Sequence, residues 1–341
     1  MEKVSIIGID LAKNSFQVHG AQSDGSVAFR SKLTRTKVLP FLTSQPGCLV
    51  AMEACAGAHH WGREIAELGH EVKLIPPIYV KPFVKRHKND AADAEAICEA
   101  ASRPTMRFVA VKTEEQQAQG MVFRTRDLLV RQRTQTINAL RGHLAEFGVI
   151  APQGPVHVRR LALAIETPGH GLPEKVREMG RLLLERIADL DEQIKELQKD
   201  IRANARQDEE ARRLMTIPGI GPIWASAIQA FAPPMESFRR GRDFSAWLGL
   251  VPRQHTTGGK PRLGKMSKMG QRDLRRLLVT GAMSVIQQAV RRGTKDPWLL
   301  GILSRKPKKL VAVALANRMA RIAWAMMTNK ESYRATELAS A

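Results

Sequence analysis

The sequence predicts an α/β domain, then a helical coiled-coil middle, then a mainly α C-terminal domain. Three observations carry this reading. Short apolar runs ending in carboxylates alternate with helical stretches near the N-terminus. A strict 4-3-4-3-4 apolar spacing runs from Leu183 to Ile201. Gly/Pro turns and dense positive charge fill the remainder. The periods separate strand from helix, and alternating strands and helices give a partly parallel sheet. The expected divisions are 1–110, 111–207 and 208–330, with a tail at 331–341.

Val4 to Asp10 reads as a buried strand that ends in an aspartate, and Ser15 to Gly20 returns from a short polar turn as its hairpin partner. Cys48 to Glu53 is a second apolar strand ending in a carboxylate. A helix is expected from about His59 to Leu68 with Gly69 as its stop, then a strand over Glu71 to Ile75 closed by Pro76-Pro77. Ala110 to Gly148 reads as one long helix, with Val130, Ile137, Leu140, Leu144 and Phe147 at heptad spacing. The segment from Gly148 to Pro173 is rich in Gly and Pro, with room for a short element over Val156 to Ile165. Glu174 to Ala205 carries Leu183, Ile187, Leu190, Ile194, Leu197 and Ile201 as an a/d seam with charged flanks. The two long helices are expected to form an antiparallel hairpin or an intermolecular coiled coil. Helices are also expected over Trp224 to Phe231, Gln271 to Val290 and Lys309 to Met327, with Trp298, Trp324 and Leu310 as core residues.

Charge narrows the function. The formal net charge is +21. Between Arg239 and Arg321 stand 20 Lys and Arg against Asp243, Asp273 and Asp296, a local net of +17. Such an excess calls for a polyanionic partner, nucleic acid before an anionic membrane. Cys48, Cys55 and Cys98 have no CxxC spacing, so neither a zinc site nor a disulfide framework is expected, and a reducing cytoplasm is. No secretory leader is expected, because Met1-Glu2-Lys3 runs straight into a strand. The longest apolar run, Leu310 to Met327, is broken by Asn317, Arg318 and Arg321, so no membrane partner is expected.

The acidic residues suggest chemistry. Asp90 and Asp93 are three apart at the start of a helix-forming run, so they share a face, directly after the basic stretch Lys85-Arg86-His87-Lys88. On that stretch alone, two solvated carboxylates favoured by the helix dipole are the simpler reading. Asp10 and Glu53 change the balance, because both end buried strands, where a sheet presents side chains to a ligand. Four carboxylates from three elements can hold two divalent metals at one phosphodiester, and that is the reading adopted here.

Two further stretches bear on nucleic acid. Thr216-Ile217-Pro218-Gly219-Ile220-Gly221-Pro222 resembles the hairpin of a helix-hairpin-helix element, whose glycines let a phosphate backbone approach; an ordinary turn between helices is the alternative. The stretch from Pro252 to Gly270 reads as a mobile basic loop. Arg253, Lys260, Arg262, Lys265 and Lys268 can hold phosphates, and Thr256, Thr257 and Ser267 offer hydroxyls. Phosphate binding without chemistry is the alternative there.

The order of these motifs resembles the DEDD-type insertion-sequence transposases, which pair an N-terminal RuvC-like domain with a C-terminal serine-type transposase domain. The matching stretches are Gly8 to Lys13, Met52-Glu53-Ala54, Lys88 to Ala94, Ile217 to Gly221, Gly249 to Arg253 and Met266 to Gly270. They span residues 4–328. The resemblance implies an RNase H-like fold for the first domain. It assigns Asp10, Glu53, Asp90 and Asp93 to binding Mg²⁺, with Mn²⁺ as a substitute. It implies DNA recombination that moves a mobile element, guided by a structured non-coding RNA of that element. It also implies a homo-oligomer, a dimer or tetramer, in which different protomers contribute catalytic parts. Relatives use a serine that becomes covalently attached to DNA. Counted without gaps from Pro252-Arg253, that position here is Thr257, with Thr256 and Ser267 as alternates. A threonine's β-branch crowds its attack, so impaired strand transfer is a further reading. The competing function is a RuvC/RNase H-type structure-specific nuclease that uses water, and a third class is a non-catalytic nucleic-acid binder.

Overall fold

The computed structural model describes residues 4–85, 90–167 and 171–333, and for Asp90 the backbone only. Arg86 to Asn89, most of the expected basic run, and residues 334–341 of the expected tail lie outside the described residues. The chain divides into two compact units, Met1–Gln117 and Ala118–Ala341.

In the first unit the order is β1 (Ile6–Asp10), β2 (Ser15–Ala21), β3 (Val27–Thr34), α1 (Val38–Thr43), β4 (Leu49–Glu53), α2 (Ala58–Glu67), β5 (Glu71–Ile75), α3 (Pro77–Val80) and α4 (Asp90–Ala101). These strands form a five-stranded sheet of order β3-β2-β1-β4-β5. β1–β2 and β2–β3 are antiparallel, and β1–β4 and β4–β5 are parallel. This mixed sheet, followed by a helical majority, is consistent with the RNase H-like fold that the resemblance implies for the first domain. The expected hairpin, partly parallel sheet and α2 are present. β3 and α1 were not expected; in β3 the half-buried Phe29, Ser31 and Leu33 alternate with exposed Arg30, Lys32 and Thr34.

β1 is apolar on both faces because it is central and covered on both sides. Ile7 and Ile9 enter the core made with α1 and α2, together with Val50, Met52, Trp61 and Ile65. Ile6 and Leu49 face the other core, with Ala51, Ala96, Ile97 and Ala100. There α4 lies close on β1. A Cβ at Gly8 would collide with the Ala94 carbonyl and stand 2.8 Å from Cys98 N. Glycine on the strand and alanines on the helix permit that approach.

The second unit contains most of α5 (Glu114–Ala145), then α6 (Val158–Glu166), α7 (Glu174–Gln207), α8 (Glu209–Leu214), α9 (Pro222–Phe231), α10 (Gly241–Trp247), β6 (Pro252–Gln254), β7 (Leu263–Met266), α11 (Arg272–Arg292), α12 (Pro297–Leu303) and α13 (Lys308–Asn329). Ile137, Leu140 and Leu144 of α5 share a core with Leu161, Ile165 and Ile187, and Arg133 pairs with Asp191. Along α7, Ile187, Leu190, Ile194 and Ile201 are buried. Phe147 departs from its expected seam role at 44% exposure, because α5 has ended and Gly148 has turned the chain with φ +76°. A second core joins α8 to α13 through Leu214, Trp224, Phe244, Leu278, Ile286 and Met319. By length and composition α13 is able to span a bilayer, but Val311, Ala312, Ala316, Met319, Ala320 and Ala323 bury one face of it in this core.

Two expectations need correction. Residues 252–266 form a hairpin, not an open loop: Pro252 pairs with Met266 and Gln254 with Leu263, with a bulge between Pro252 and Gln254. Trp298 and Leu310 are not core residues: both stand in the first turn of their helices and keep 38% and 53% exposure.

Candidate functional site

In the first unit, parallel pairing of Ile9 with Met52 puts Asp10 and Glu53 at the neighbouring C-terminal ends of β1 and β4. Side chains alternate along a strand. Asp10 therefore shares the face of Ile6 and Gly8, and Glu53 shares the face of Leu49 and Ala51. Both point toward the α4 layer. α4 runs antiparallel to β1: Cys98 lies over Ile6, whose carbonyl accepts its Sγ–H at 3.8 Å, and Ala94 lies over Gly8. Two strand residues rise about 6.6 Å and four helix residues about 6 Å. Continuing that register brings the first turn of α4, which starts at Asp90 and carries the half-buried Asp93, to the level of Asp10.

Asp10 and Glu53 act on a common neighbour. Cys55, two residues past Glu53, has its thiol pushed up first by burial and then by the charges of Glu53 and Asp10. Hard carboxylate oxygens suit Mg²⁺ or Mn²⁺ and not a soft metal. Among the described residues no three His, Cys, Asp or Glu side chains are grouped closely enough to hold a metal.

Glu95, one turn along α4, has a different task. It accepts from Arg30 at 2.9 Å and from Lys85 at 2.5 Å. The Lys85 hydrogen bond, then the charges of Lys85 and Arg30, hold its carboxyl below the usual range against the effect of burial. His19 beside it is buried, and that burial pushes its imidazole down. Glu95 thus ties α4 to β3. Sequence spacing hid this pairing because Arg30 is 65 positions away.

In the second unit the basic hairpin has two distinct faces. His255 N donates to Arg262 O at 2.8 Å, and Thr257 bridges to Lys260 across Gly258 and Gly259, whose φ values are +56° and +74°. Two consecutive positive φ angles make the tight turn that suits a twisted hairpin. A Cβ at Gly264 would meet His255 Cδ2 at 3.3 Å and Arg253 Cβ at 3.6 Å. Arg253, His255, Thr257, Lys260 and Arg262 therefore share one face. Thr256 belongs to the other, with Gln254 and Leu263. All of these residues are exposed. Ser267 is 9% exposed, its Oγ has no partner, and its carbonyl accepts from Arg253 at 3.4 Å. His255 was passed over in the sequence; two positions before Thr257 on a strand, it shares that residue's face.

The hairpin's base is fixed by buried Arg275, which donates to Leu248 O at 2.8 Å and Met269 O at 2.9 Å. Lys265 and Lys268 are exposed beside it, and Lys268 has a left-handed φ of 55°. The expected helix-hairpin-helix glycines differ from one another. Gly219 is packed inward: with φ +88°, its Cβ would meet Val285 Cγ2 at 2.8 Å and the Gly281 carbonyl at 2.9 Å. Gly221 is exposed, has open space around it and precedes α9.

Residues 7–148 match a family model for the DEDD transposase of IS110 elements, described as "Transposase". Residues 211–296 match the model "Transposase IS116/IS110/IS902 family". The chain is 47% identical to the putative transposase y4pF/y4sB of Sinorhizobium fredii, over 99% of this chain and 87% of the relative. It is 48% identical to a probable family 20 transposase of Pseudomonas aeruginosa, over 97% and 99% of the two chains. It is 45% identical to the transposase for insertion sequence element IS1328 of Yersinia enterocolitica, over 96% and 98%.

Proposed function

The chain belongs to the IS110-type insertion-sequence transposases, enzymes that cleave and recombine DNA, and from that premise we propose that its acidic set and its basic hairpin carry out the strand chemistry. Asp10, Glu53, Asp90 and Asp93 hold divalent cations, Mg²⁺ by preference with Mn²⁺ as a substitute. When bound, the metal supplies Lewis-acid polarisation of the scissile phosphate. Asp10 and Glu53, as fixed strand-end carboxylates, orient that charge without reorganising. Arg253, Lys260, Arg262, Lys265 and Lys268 hold DNA phosphates, and Gly221 lets a backbone approach α9.

Thr257 is the nucleophile. Its Oγ forms a bond to phosphorus while a phosphodiester P–O bond breaks. The Oγ proton departs to a base on the same face, and the leaving sugar oxygen takes up a proton from solvent. A second DNA hydroxyl then attacks the phosphothreonine and releases Thr257. Its place among Arg253, Lys260 and Arg262 favours it over Thr256, and burial disfavours Ser267. The assembly is a dimer or tetramer in the cytoplasm, with a structured non-coding RNA guiding DNA choice by pairing, as in other guided systems. The working divisions are 1–110, 111–207 and 208–330, with 111–207 as the oligomerising helical part.

The observation that carries this reading is the neighbouring ends of β1 and β4, with both carboxylates turned toward α4. The test is denaturing electrophoresis of the chain incubated with element-end DNA, RNA from the element and Mg²⁺. A covalent protein–DNA adduct is expected for the wild type, none for Thr257→Ala, and a stronger one for Thr257→Ser, which lacks the β-branch. An adduct that survives Thr257→Ala overturns the assignment. Cleavage with no adduct in any variant favours the water-using nuclease.

A further inference from the structure

A cavity of about 720 Å³ lies where the start of α10 meets α12 and α13. Arg240, Arg242, Trp298, Arg318, Arg321 and Trp324 line it. Its construction is specific. Gly241 lies so close to α13 that a Cβ there would stand 3.2 Å from both the Arg321 backbone and the Trp324 ring. That approach sets Arg240 and Arg242 beside Arg318 and Arg321. Asp296 caps α12 by accepting from Trp298 N at 3.0 Å and Leu299 N at 3.3 Å, and its other oxygen accepts from Arg318 at 2.9 Å. The Arg318 guanidinium lies over the Trp298 ring, 4.9 Å from its centre. Trp298 nevertheless keeps 38% exposure.

The chemistry of the wall limits the ligand. Four guanidinium groups meet two carboxylates: Asp296 is held by Arg318, and Asp243 stands 3.6 Å from Arg240. Arg242 and Arg321 are exposed and have no ion pair among the described residues. A cation is excluded. A small anion would leave the indole wall unused. A duplex keeps its bases inside the stack and cannot present one to a pocket. An exposed indole beside unpaired arginines is the pattern that binds unpaired strands, with bases on the aromatic face and phosphates on the cations. The hollow is open to solvent, so a nucleotide of a continuing strand can enter it from the side.

We propose that this cavity captures an unpaired nucleotide of a nucleic-acid strand, its base stacking against Trp298 and its phosphates held by Arg242 and Arg321. This goes beyond the strand chemistry proposed above: it uses neither the acidic set nor Thr257, and requires only that the chain handles nucleic acid.

The test is a titration of the full-length chain with short labelled single strands of DNA and of RNA, each with and without a run of abasic sites, read by anisotropy. For the wild type, removing the bases is expected to weaken binding about tenfold. Trp298→Ala is expected to bind intact strands as weakly as the wild type binds abasic ones, and to be indifferent to base removal. Trp298→Phe retains part of the base dependence, which separates stacking from a folding defect. Arg321→Gln weakens intact and abasic strands alike and lowers the salt slope by about one. Tighter binding of RNA assigns the pocket to a guide strand, and tighter binding of DNA assigns it to a displaced strand. Equal base dependence in the wild type and Trp298→Ala overturns the proposal. Asp10→Asn keeps the base dependence, so a failure of the catalytic reading is distinguishable from a failure of this one.

Discussion

Three carboxylates of the first unit differ in where they stand and in which charges act beside them. Glu95 is taken by Lys85 and Arg30. Asp10 and Glu53 stand at strand ends and add their charges at Cys55. The Glu95 pairing has a pH signature. Its folded carboxyl lies below the ordinary value of 4.5, so the stability it contributes is present above about pH 4.5 and disappears as pH falls through the folded pKa. Glu95→Gln is therefore expected to lower stability by about 0.2–1 kcal/mol at pH 7, the range for exposed ion pairs. In thermal melts the gap between wild type and variant should narrow as the pH drops below 4.5. A gap that persists in acid would mean that the pairing contributes nothing. Asp10 and Glu53 were legible in the sequence because each closes an apolar run. The pairing of Glu95 was not, since no local spacing relates it to Arg30. Nor was the side of the hairpin on which Thr257 falls, because that depends on the cross-strand register.

Among the elements, α4 and β1 form the decisive pair, and Gly8 is their point of closest approach. A side chain there must drive α4 away from the Ala94 carbonyl and from Cys98 N, and the first turn of α4 would move with it. Gly8→Ala is expected to cost about 1–3 kcal/mol, the range for overpacking a close contact. It should also depress recombination while phosphate binding by the hairpin persists. Unchanged melting and full recombination would show that α4 need not lie so close. The apolar strands β1, β4 and β5 and the long helices could be read from periodicity. β3 and the β6–β7 hairpin could not: β3 is only half-buried on its inner face, and the positions of β6 and β7 are almost all exposed. The Gly258-Gly259 pair was the one available signal for the hairpin, a two-residue turn between extended runs.

At the scale of the whole molecule, charge and family agree. The surplus of +17 between Arg239 and Arg321 covers the hairpin, the helices beneath it and the Arg–Trp cavity. Phosphate contacts made there should give nucleic-acid affinity that falls steeply with salt. The first unit instead brings Asp10 and Glu53 to the C-terminal ends of two interior strands, and a pure nucleic-acid binder gains nothing from such anions. The central claim is that these carboxylates serve catalysis. The direct measurement is recombination between an element-bearing plasmid and a target plasmid, with nucleic-acid binding followed in parallel. Asp10→Asn and Asp90→Ala are expected to abolish recombinant junctions while leaving binding close to that of the wild type. Junctions formed at the wild-type rate by either variant would contradict the account.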